Sequence, residues 1–156
     1  MKIIVATEED FKEVQNLFYL LFKKEVVYQP TLDISLPYKN SKQGVGYIKK
    51  ALKNPKYITL LAIMDKKIVG FLIGEFEGDI KFRINITRVT LNDLFVMQNY
   101  RNKGIGSALV RRFQEWAKSK EANDIGVFAF KGNERGIDFY KNSGFKDYGI
   151  TLEKLI

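Results

Sequence analysis

The chain has 156 residues, of which 46% are hydrophobic and 28% are charged, and its formal net charge is +8. These values are typical of one globular domain that spans residues 1–156. No apolar run approaches the roughly 18 residues of a membrane span, and the N-terminal sequence MKIIVATEEDF becomes acidic too early for a signal peptide. We therefore expect a cytoplasmic protein with no membrane partner.

Two residue types are absent from the sequence, which contains no Cys and no His. The lack of Cys excludes disulfides, thiolate metal sites and a cysteine nucleophile. The lack of His removes the usual general base and the commonest metal ligand. We expect no metal, and acid–base chemistry must come from Asp, Glu, Tyr, Lys or water.

The positive charge is unevenly distributed along the chain. Residues 39–56 contain six lysines and no acid, and residues 101–120 contain six cations and only Glu115 as an acid. The first cluster is either a solvated surface or a site for an acidic ligand, and the second suits an anionic cofactor. Net charge alone suggests nucleic acid, but the chain has no helix-turn-helix, zinc or RRM signature, so a nucleic-acid partner is not expected.

The first half of the chain alternates strand and helix patterns. Apolar β-branched runs predict strands, and apolar residues at every third or fourth position predict helices. In chain order we expect a strand at 2–6, a helix from Thr7 to about Val26, a loop marked by Pro30 and Pro37, a helix capped by Ser41 at 42–52, and strands at 57–64 and 68–76. Only a short turn separates the last two strands, which predicts an antiparallel hairpin.

The second half predicts a crossover between two strands. Residues 82–97 are too many for one regular strand, so a break or bulge is expected there, with 91–97 as the working strand. A helix at 104–119, a strand at 124–130, a helix at 133–142 and a last strand at 145–153 follow. The strand–helix–strand connection makes strands 91–97 and 124–130 parallel. The fold class is α/β: a mixed, mostly antiparallel twisted sheet with helices on both faces, in the order β-α-α-β-β-β-α-β-α-β.

Residues 91–107, LNDLFVMQNYRNKGIGS, read as a strand, a basic loop and a helix that starts at glycines. The first turn of a helix offers unpaired N–H groups and the positive end of its dipole, which suit a phosphate. Gly104 and Gly106 allow a ligand to approach the backbone closely, or simply permit tight packing of helix on strand. The first interpretation predicts a nucleotide-like cofactor.

Two motifs resemble those of the GNAT superfamily of N-acetyltransferases. Residues 101–106, RNKGIG, match its R/Q-x-x-G-x-G/A signature and follow the strand ending DLFV. Asn133 and residues 136–145, GIDFYKNSGF, resemble its N-x-x-A-x-x-F-Y-x-x-x-G-F segment, with Gly136 in place of the usual Ala. The resemblance covers nearly the whole chain and agrees with the expected order of elements.

The resemblance implies acetyl-CoA as the cosubstrate. It assigns the pyrophosphate to the loop residues Arg101, Asn102, Lys103, Gly104, Ile105, Gly106 and Ser107. It places the pantetheine arm along the strand backbone at Leu94, Phe95 and Val96, with Asn133 contacting the arm from the neighbouring strand end. Many relatives pair as homodimers, so the resemblance also implies a homodimer.

The reaction implied is acetyl transfer to a primary amine by direct attack in a ternary complex. Tyr140 stands where many members carry a tyrosine that protonates the departing sulfur, next to the cofactor. Polyamine acetyltransferases of similar sequence carry a Glu at the position of Asn92, so their base does not transfer to this chain. Asp93 is the nearest candidate base, and Glu75 and Glu77 come next.

The acceptor and the turnover are left open by the sequence. In the family the first two helices and the last strand usually shape the acceptor cleft, where this chain offers Phe22, Glu25, Tyr28, Tyr38, Tyr47 and Tyr148. The aromatics with Glu25 favour a cationic amine, such as a small amine, polyamine or peptide amine. The lysines of 39–56 instead favour an acceptor with an acid group, such as an amino acid. Asn92 also leaves a CoA-binding sensor without turnover as an alternative.

Overall fold

The computed structural model describes residues 1–32 and 41–156, so Pro37, Tyr38 and Lys39 lie outside the described residues. Its helices and strands follow the expected order as far as the helix predicted at 133–142. They are β1 (Lys2–Val5), α1 (Phe11–Glu25), α2 (Lys42–Lys53), β2 (Tyr57–Met64), β3 (Lys67–Asp79), β4 (Thr87–Val96), α3 (Ile105–Ser119), β5 (Asp124–Val127) and α4 (Glu134–Asn142). No helix in the described ranges combines the length and apolar character needed to cross a membrane.

The described strands form one mixed sheet in the order β1-β2-β3-β4-β5. Each neighbouring pair from β1 to β4 is antiparallel, and β4 and β5 are parallel. The hairpin and the crossover predicted from the sequence are therefore confirmed. Asp65 and Lys66 at the tip of the β2–β3 hairpin both have positive φ, as a tight two-residue turn requires.

Helices cover both faces of the sheet, which confirms the predicted class. Because successive side chains of a strand point to opposite faces, Leu60 and Leu61 of β2 enter different core layers. Leu61 packs with α1 and α2, whereas Leu60 packs with α3. Both leucines are fully buried.

The irregularity predicted within 82–97 takes two forms: residues 82–86 precede the strand as turns and coil, and β4 itself contains a bulge. Gly74 of β3 pairs with Leu91 while Ile73 pairs with Asp93, so Asn92 is the extra residue of a β-bulge. The bulge reverses the alternation of side chains: Leu91 packs with α3, but Asp93 reaches Tyr47 of α2 on the other face. The position of Asp93 in the site thus depends on one inserted residue.

The sheet and α3 pack closely opposite this bulge. Gly74 lies beneath the ring of Phe113, which is fully buried. A Cβ atom at Gly74 would lie 2.1 Å from Cε2 of Phe113, closer than real contacts allow. Gly74 therefore permits α3 to lie against β3 at the level where β4 changes face.

The last strand, predicted at 145–153, is wrong: within the described chain, residues 145–156 form neither strand nor helix. Tyr148, Ile150 and Leu152 alternate as in a half-buried strand, yet their exposed fractions are 75, 89 and 90%. An alternating pattern of apolar residues is not sufficient for a strand, because the strand backbone also needs a neighbouring strand as its hydrogen-bond partner. β5 is also shorter than predicted, since its pairing with β4 ends at Val127.

Candidate active site

A cavity of about 570 Å³ opens where β4 and β5 part. The two strands pair only from Arg88 to Leu91 on β4, and β4 then continues past the bulge to Val96. The far end of α1, the loop before α3, the start of α3 and α4 form the other walls. A strand edge is therefore open to a ligand along 92–96 in the described chain.

Most of the predicted site residues meet in this cavity. Those that line it are Asp93, Leu94, Phe95, Val96, Arg101, Asn102, Gly104, Ile105, Gly106, Ser107, Asn133 and Tyr140. Two predicted residues do not line it. The Lys103 ammonium lies 5.2 Å from the centre of the Tyr100 ring, and Glu75 on β3 accepts a hydrogen bond of 3.4 Å from Asn92 Nδ2.

The start of α3 leaves backbone donors at one end of the cavity. Asn102 and Gly104 in the preceding loop have φ of 61° and 75°, in the left-handed region that glycine and asparagine tolerate best. No side chain caps α3, and its first turn carries no acid. The N–H groups of this turn are therefore available to bind an anion inside the cavity.

Asp93 lies at the other end, where its side chain is partly buried. The Tyr47 hydroxyl donates a 2.6 Å hydrogen bond to Asp93 Oδ2. Burial raises the pKa of Asp93 to about 7, and the Glu25 carboxylate adds to the rise, while the bond from Tyr47 opposes it. Asp93 thus changes its protonation state near neutral pH, where a general base works best.

Residues 17–145 match the model of the acetyltransferase (GNAT) family. The chain belongs to this family. Over 149 residues it is 24% identical to an uncharacterized N-acetyltransferase of Methanocaldococcus jannaschii, a match that covers 94% of this chain. The chain spans 61% of the length of that relative.

Solved structures with the same fold align with this GNAT chain over nearly its whole length. The BH1408 protein of Bacillus halodurans, crystallised as a tetramutant, aligns over 100% of both chains with a TM-score of 0.83 and 20% identity. The aminoglycoside acetyltransferase AAC(6′)-Iy, in complex with the bisubstrate analogue CoA-S-monomethyl-acetylneamine, aligns over 99% of this chain and 98% of its own with a TM-score of 0.77 and 16% identity. At these identities the likeness concerns the fold.

Three cations line this GNAT cavity and lie close enough to one another to interact: Lys24, Arg101 and Arg135. Burial lowers the pKa of Lys24, and the two guanidinium groups lower it further. Sequence reasoning identified only Arg101, because Lys24 comes from the last turn of α1 and Arg135 from the first turn of α4. Arg135 Nη2 donates to Asn102 Oδ1 at 3.0 Å, which ties α4 to the loop.

Asn133 has a structural role beside its place in the cavity. Its Oδ1 accepts a 3.2 Å hydrogen bond from the Gly136 N–H and caps α4. A Cβ at Gly136 would lie 2.5 Å from Asn133 Nδ2, so an alanine at this position would require the amide end of the Asn133 side chain to shift.

Tyr140 remains a hydroxyl donor at neutral pH. Burial raises its pKa, and the Asp93 and Glu25 carboxylates raise it further. Its ring packs edge-on against Phe139 and Phe145, with centroids 5.4 and 5.6 Å away. These contacts hold the side chain of Tyr140 in the same cavity as Asp93.

Tyr47 does not line this cavity, although the sequence placed it in the acceptor cleft. Burial, followed by the neighbouring Asp93 carboxylate, raises its pKa, so it stays protonated and donates to Asp93. Its ring packs with Phe18 at 5.5 Å and with Tyr57 at 6.5 Å. No sequence signal pairs Tyr47 with Asp93, because the contact joins two elements 46 residues apart and depends on the bulge.

Proposed function

We propose that this protein is an acetyl-CoA-dependent N-acetyltransferase that moves an acetyl group to a primary amine by direct attack in a ternary complex. The observation that carries the proposal is one cavity with two different ends. One end presents helix N–H groups and cations, and the other presents Asp93 and Tyr140. No group of three metal-ligating side chains was found among the described residues.

The residues present fit acetyl-CoA. The N–H groups at the start of α3 suit the pyrophosphate, and Lys24, Arg101 and Arg135 add charge-assisted contacts. The open edge of β4 at Leu94, Phe95 and Val96 suits the amide groups of the pantetheine arm, which would pair with it like an added strand. This path would bring the thioester toward Asp93 and Tyr140, which line the same cavity.

The chemistry assigns one proton transfer to each of these side chains. A free alkylamine has a pKa near ~10, so the acceptor must lose a proton before it attacks. Asp93 accepts that proton, directly or through water, and the amine nitrogen bonds to the acetyl carbon as the carbon–sulfur bond breaks. The nitrogen then loses its second proton to water, which leaves the neutral amide. The Tyr140 hydroxyl gives a proton to the departing sulfur and recovers one from solvent. The products are the amide and free CoA thiol.

The experiment that tests this function measures thiol release from acetyl-CoA over a panel of amines. We expect release with at least one primary amine at a rate far above the hydrolysis without amine. Asn92 favours the alternative, a CoA-binding sensor, because an amide stands at the bulge where similar enzymes carry a carboxylate. Tight binding of acetyl-CoA without thiol release for any amine contradicts the enzyme and supports the sensor.

The cation cluster makes a separate prediction. A Lys24→Gln, Arg135→Gln double variant should bind acetyl-CoA about tenfold or more weakly by calorimetry, because each lost charge-assisted contact costs on the order of 1–2 kcal/mol. Acetylpantetheine, which lacks the phosphates, should bind both proteins equally. Lys23→Gln, an exposed change on the same helix turn, is the control. Equal weakening of both ligands contradicts the assignment of the cations to phosphate.

We also propose that the protein is a cytoplasmic homodimer. The exposed side chains of Tyr148, Ile150 and Leu152 support pairing, because a second copy can cover apolar side chains that the chain itself leaves exposed. Light scattering should therefore give twice the chain mass of 18.1 kDa. An Ile150→Asp, Leu152→Asp variant should shift the mass toward the monomer. An unchanged dimer in that variant places the interface elsewhere, and a monomeric wild type contradicts it.

A further inference from the structure

Glu25 is the one acid of α1 that lines the cavity. It lies half-buried in the last turn of the helix and forms no salt bridge with any described residue. Burial raises its pKa, although the neighbouring Lys24 opposes the rise. Its charge acts on both Asp93 and Tyr140, which places the carboxylate near the two groups that handle protons.

The cavity is therefore electrically divided. Three cations, Lys24, Arg101 and Arg135, stand at the end that suits phosphates. Of the three carboxyl groups that line the cavity in the described chain, Glu25 and Asp93 lie close enough for the Glu25 charge to raise the pKa of Asp93, and Asp138 of α4 is the third. A cationic ligand beside Glu25 and Asp93 reduces the repulsion between the two carboxylates. The ligand with the complementary charge is therefore the acceptor amine rather than acetyl-CoA.

The chemistry sets how many positive charges that acceptor needs. The attacking nitrogen gives its proton to Asp93 and is neutral when it reacts. A neutral amine cannot balance the Glu25 carboxylate. Lys24 acts on Glu25 without forming a salt bridge with it, so a second ammonium or similar cation on the acceptor would be the direct partner of the Glu25 carboxylate during the reaction.

The described lysines do not support the competing choice of an acidic acceptor. None of the described lysines in residues 41–56 lines the cavity. Lys50 instead lies 5.0 Å from the centre of the Tyr57 ring, and Lys53 pairs with Glu8 at 2.9 Å. The wall next to Glu25 is apolar, formed by Leu21 and Phe22, which suits a hydrocarbon segment between two amino groups.

We propose that Glu25 binds a second cationic group of the acceptor, so that the enzyme prefers di- or polycationic amines over monoamines. The proposal rests on the proposed acetyltransferase function and names its acceptor class. Glu25 is a specificity-determining residue in it, and Asp93 keeps the proton transfer. Aliphatic polyamines and aminoglycosides share this chemistry.

The test compares two amines that differ only in the second ammonium, 1,4-diaminobutane and 1-aminobutane, at pH 8.5, where Asp93 is ionised. We expect wild-type kcat/KM to be about 10–100-fold higher for the diamine, as one charge-assisted contact provides. Glu25→Gln should reduce this preference to within about threefold, by raising KM for the diamine and leaving the monoamine nearly unchanged. Glu13→Gln, an exposed acid on the same helix, should keep the full preference.

Two results overturn the proposal: no preference for the diamine in the wild type, or an equal loss for both amines in Glu25→Gln. Calorimetry of 1,4-diaminobutane with the CoA-loaded protein keeps the test independent of turnover, because binding should weaken about tenfold or more in Glu25→Gln. If none of the amines supports thiol release, the proposed function is contradicted. The difference in diamine binding between wild type and Glu25→Gln then still decides the role of Glu25. Spermidine and kanamycin as further acceptors distinguish a flexible polyamine from a ring-based one.

Discussion

Asp93→Asn should lower kcat by about 10²–10⁴ at pH 8, because positioned general bases contribute on that scale. In the wild type, kcat/KM should rise with pH along an acidic limb with an apparent pKa near 7, as the buried carboxyl ionises. The asparagine variant should lose that limb. The measurement is a pH–rate profile with saturating acetyl-CoA and a fixed amine.

Two matched variants separate the roles of the neighbouring groups. Tyr140→Phe should lower kcat and keep the acidic limb, because it removes the proton donor and leaves Asp93 in place. Glu75→Gln should keep both the wild-type kcat and the acidic limb, since Glu75 does not line the cavity. If Asp93→Asn retains the limb, or if Glu75→Gln loses it, the base has been assigned to the wrong carboxylate.

Stability provides a check that loss of activity is not loss of folding. The pKa of Asp93 is higher in the folded state than in an unfolded chain, so its contribution to stability is full below about pH 4 and is lost as pH rises through about 7. An asparagine has no charge to bury at any pH. Thermal melts should therefore show Asp93→Asn to be at least as stable as wild type at pH 8, where its activity is lowest.

Gly74→Ala should lower the free energy of unfolding by about 3 kcal/mol, at the upper end of the usual cost of overpacking. The added Cβ would lie 2.1 Å from Phe113, whose ring is buried between α3 and the sheet and has no space to move into. Urea denaturation followed by circular dichroism measures the change. An unchanged midpoint contradicts the close packing of α3 on β3.

Two further variants make this measurement specific. Gly46→Ala is the control, since a Cβ there meets no atom within 4 Å and alanine favours a helix interior, so α2 should gain up to about 1 kcal/mol. Phe113→Leu removes the ring edge that the new Cβ meets. Added to Gly74→Ala, it should cost less than the sum of the two single changes. Additive costs would mean that Gly74 acts on another neighbour.

The sequence predicted best what depends on local order. The loop from Arg101 to Ser107 and the helix predicted at 133–142 follow from short motifs whose parts are adjacent in the chain. A break or bulge was predicted because 16 residues at 82–97 exceed a normal strand, and the chain has both: residues 82–86 lie outside β4, and β4 contains a bulge. Its exact position at Asn92, which decides the face to which Asp93 turns, depends on the pairing with Gly74.

What the sequence could not provide depends on contacts between distant elements. Lys24 and Arg135 line the cavity beside Arg101 from two different helices, and neither belongs to the motif at 101–106. The Tyr47–Asp93 hydrogen bond joins α2 to β4 through a face change that no periodicity reveals. The last strand was predicted from alternation alone, yet Ile150 has no partner strand in the described chain. Each of these depends on tertiary packing, which overrides local preference.

The open edge of β4 has a consequence for the lifetime of the protein. If the pantetheine arm pairs along 94–96 as proposed, the cosubstrate would supply hydrogen-bond partners for the edge of β4 that β5 leaves unpaired. A ligand that binds only the folded state adds about 2.7 kcal/mol to the free energy of unfolding at 100 times its Kd. Local opening, and with it attack by proteases, should then become more frequent as cellular acetyl-CoA falls. The amount of enzyme would follow the supply of its own acetyl donor.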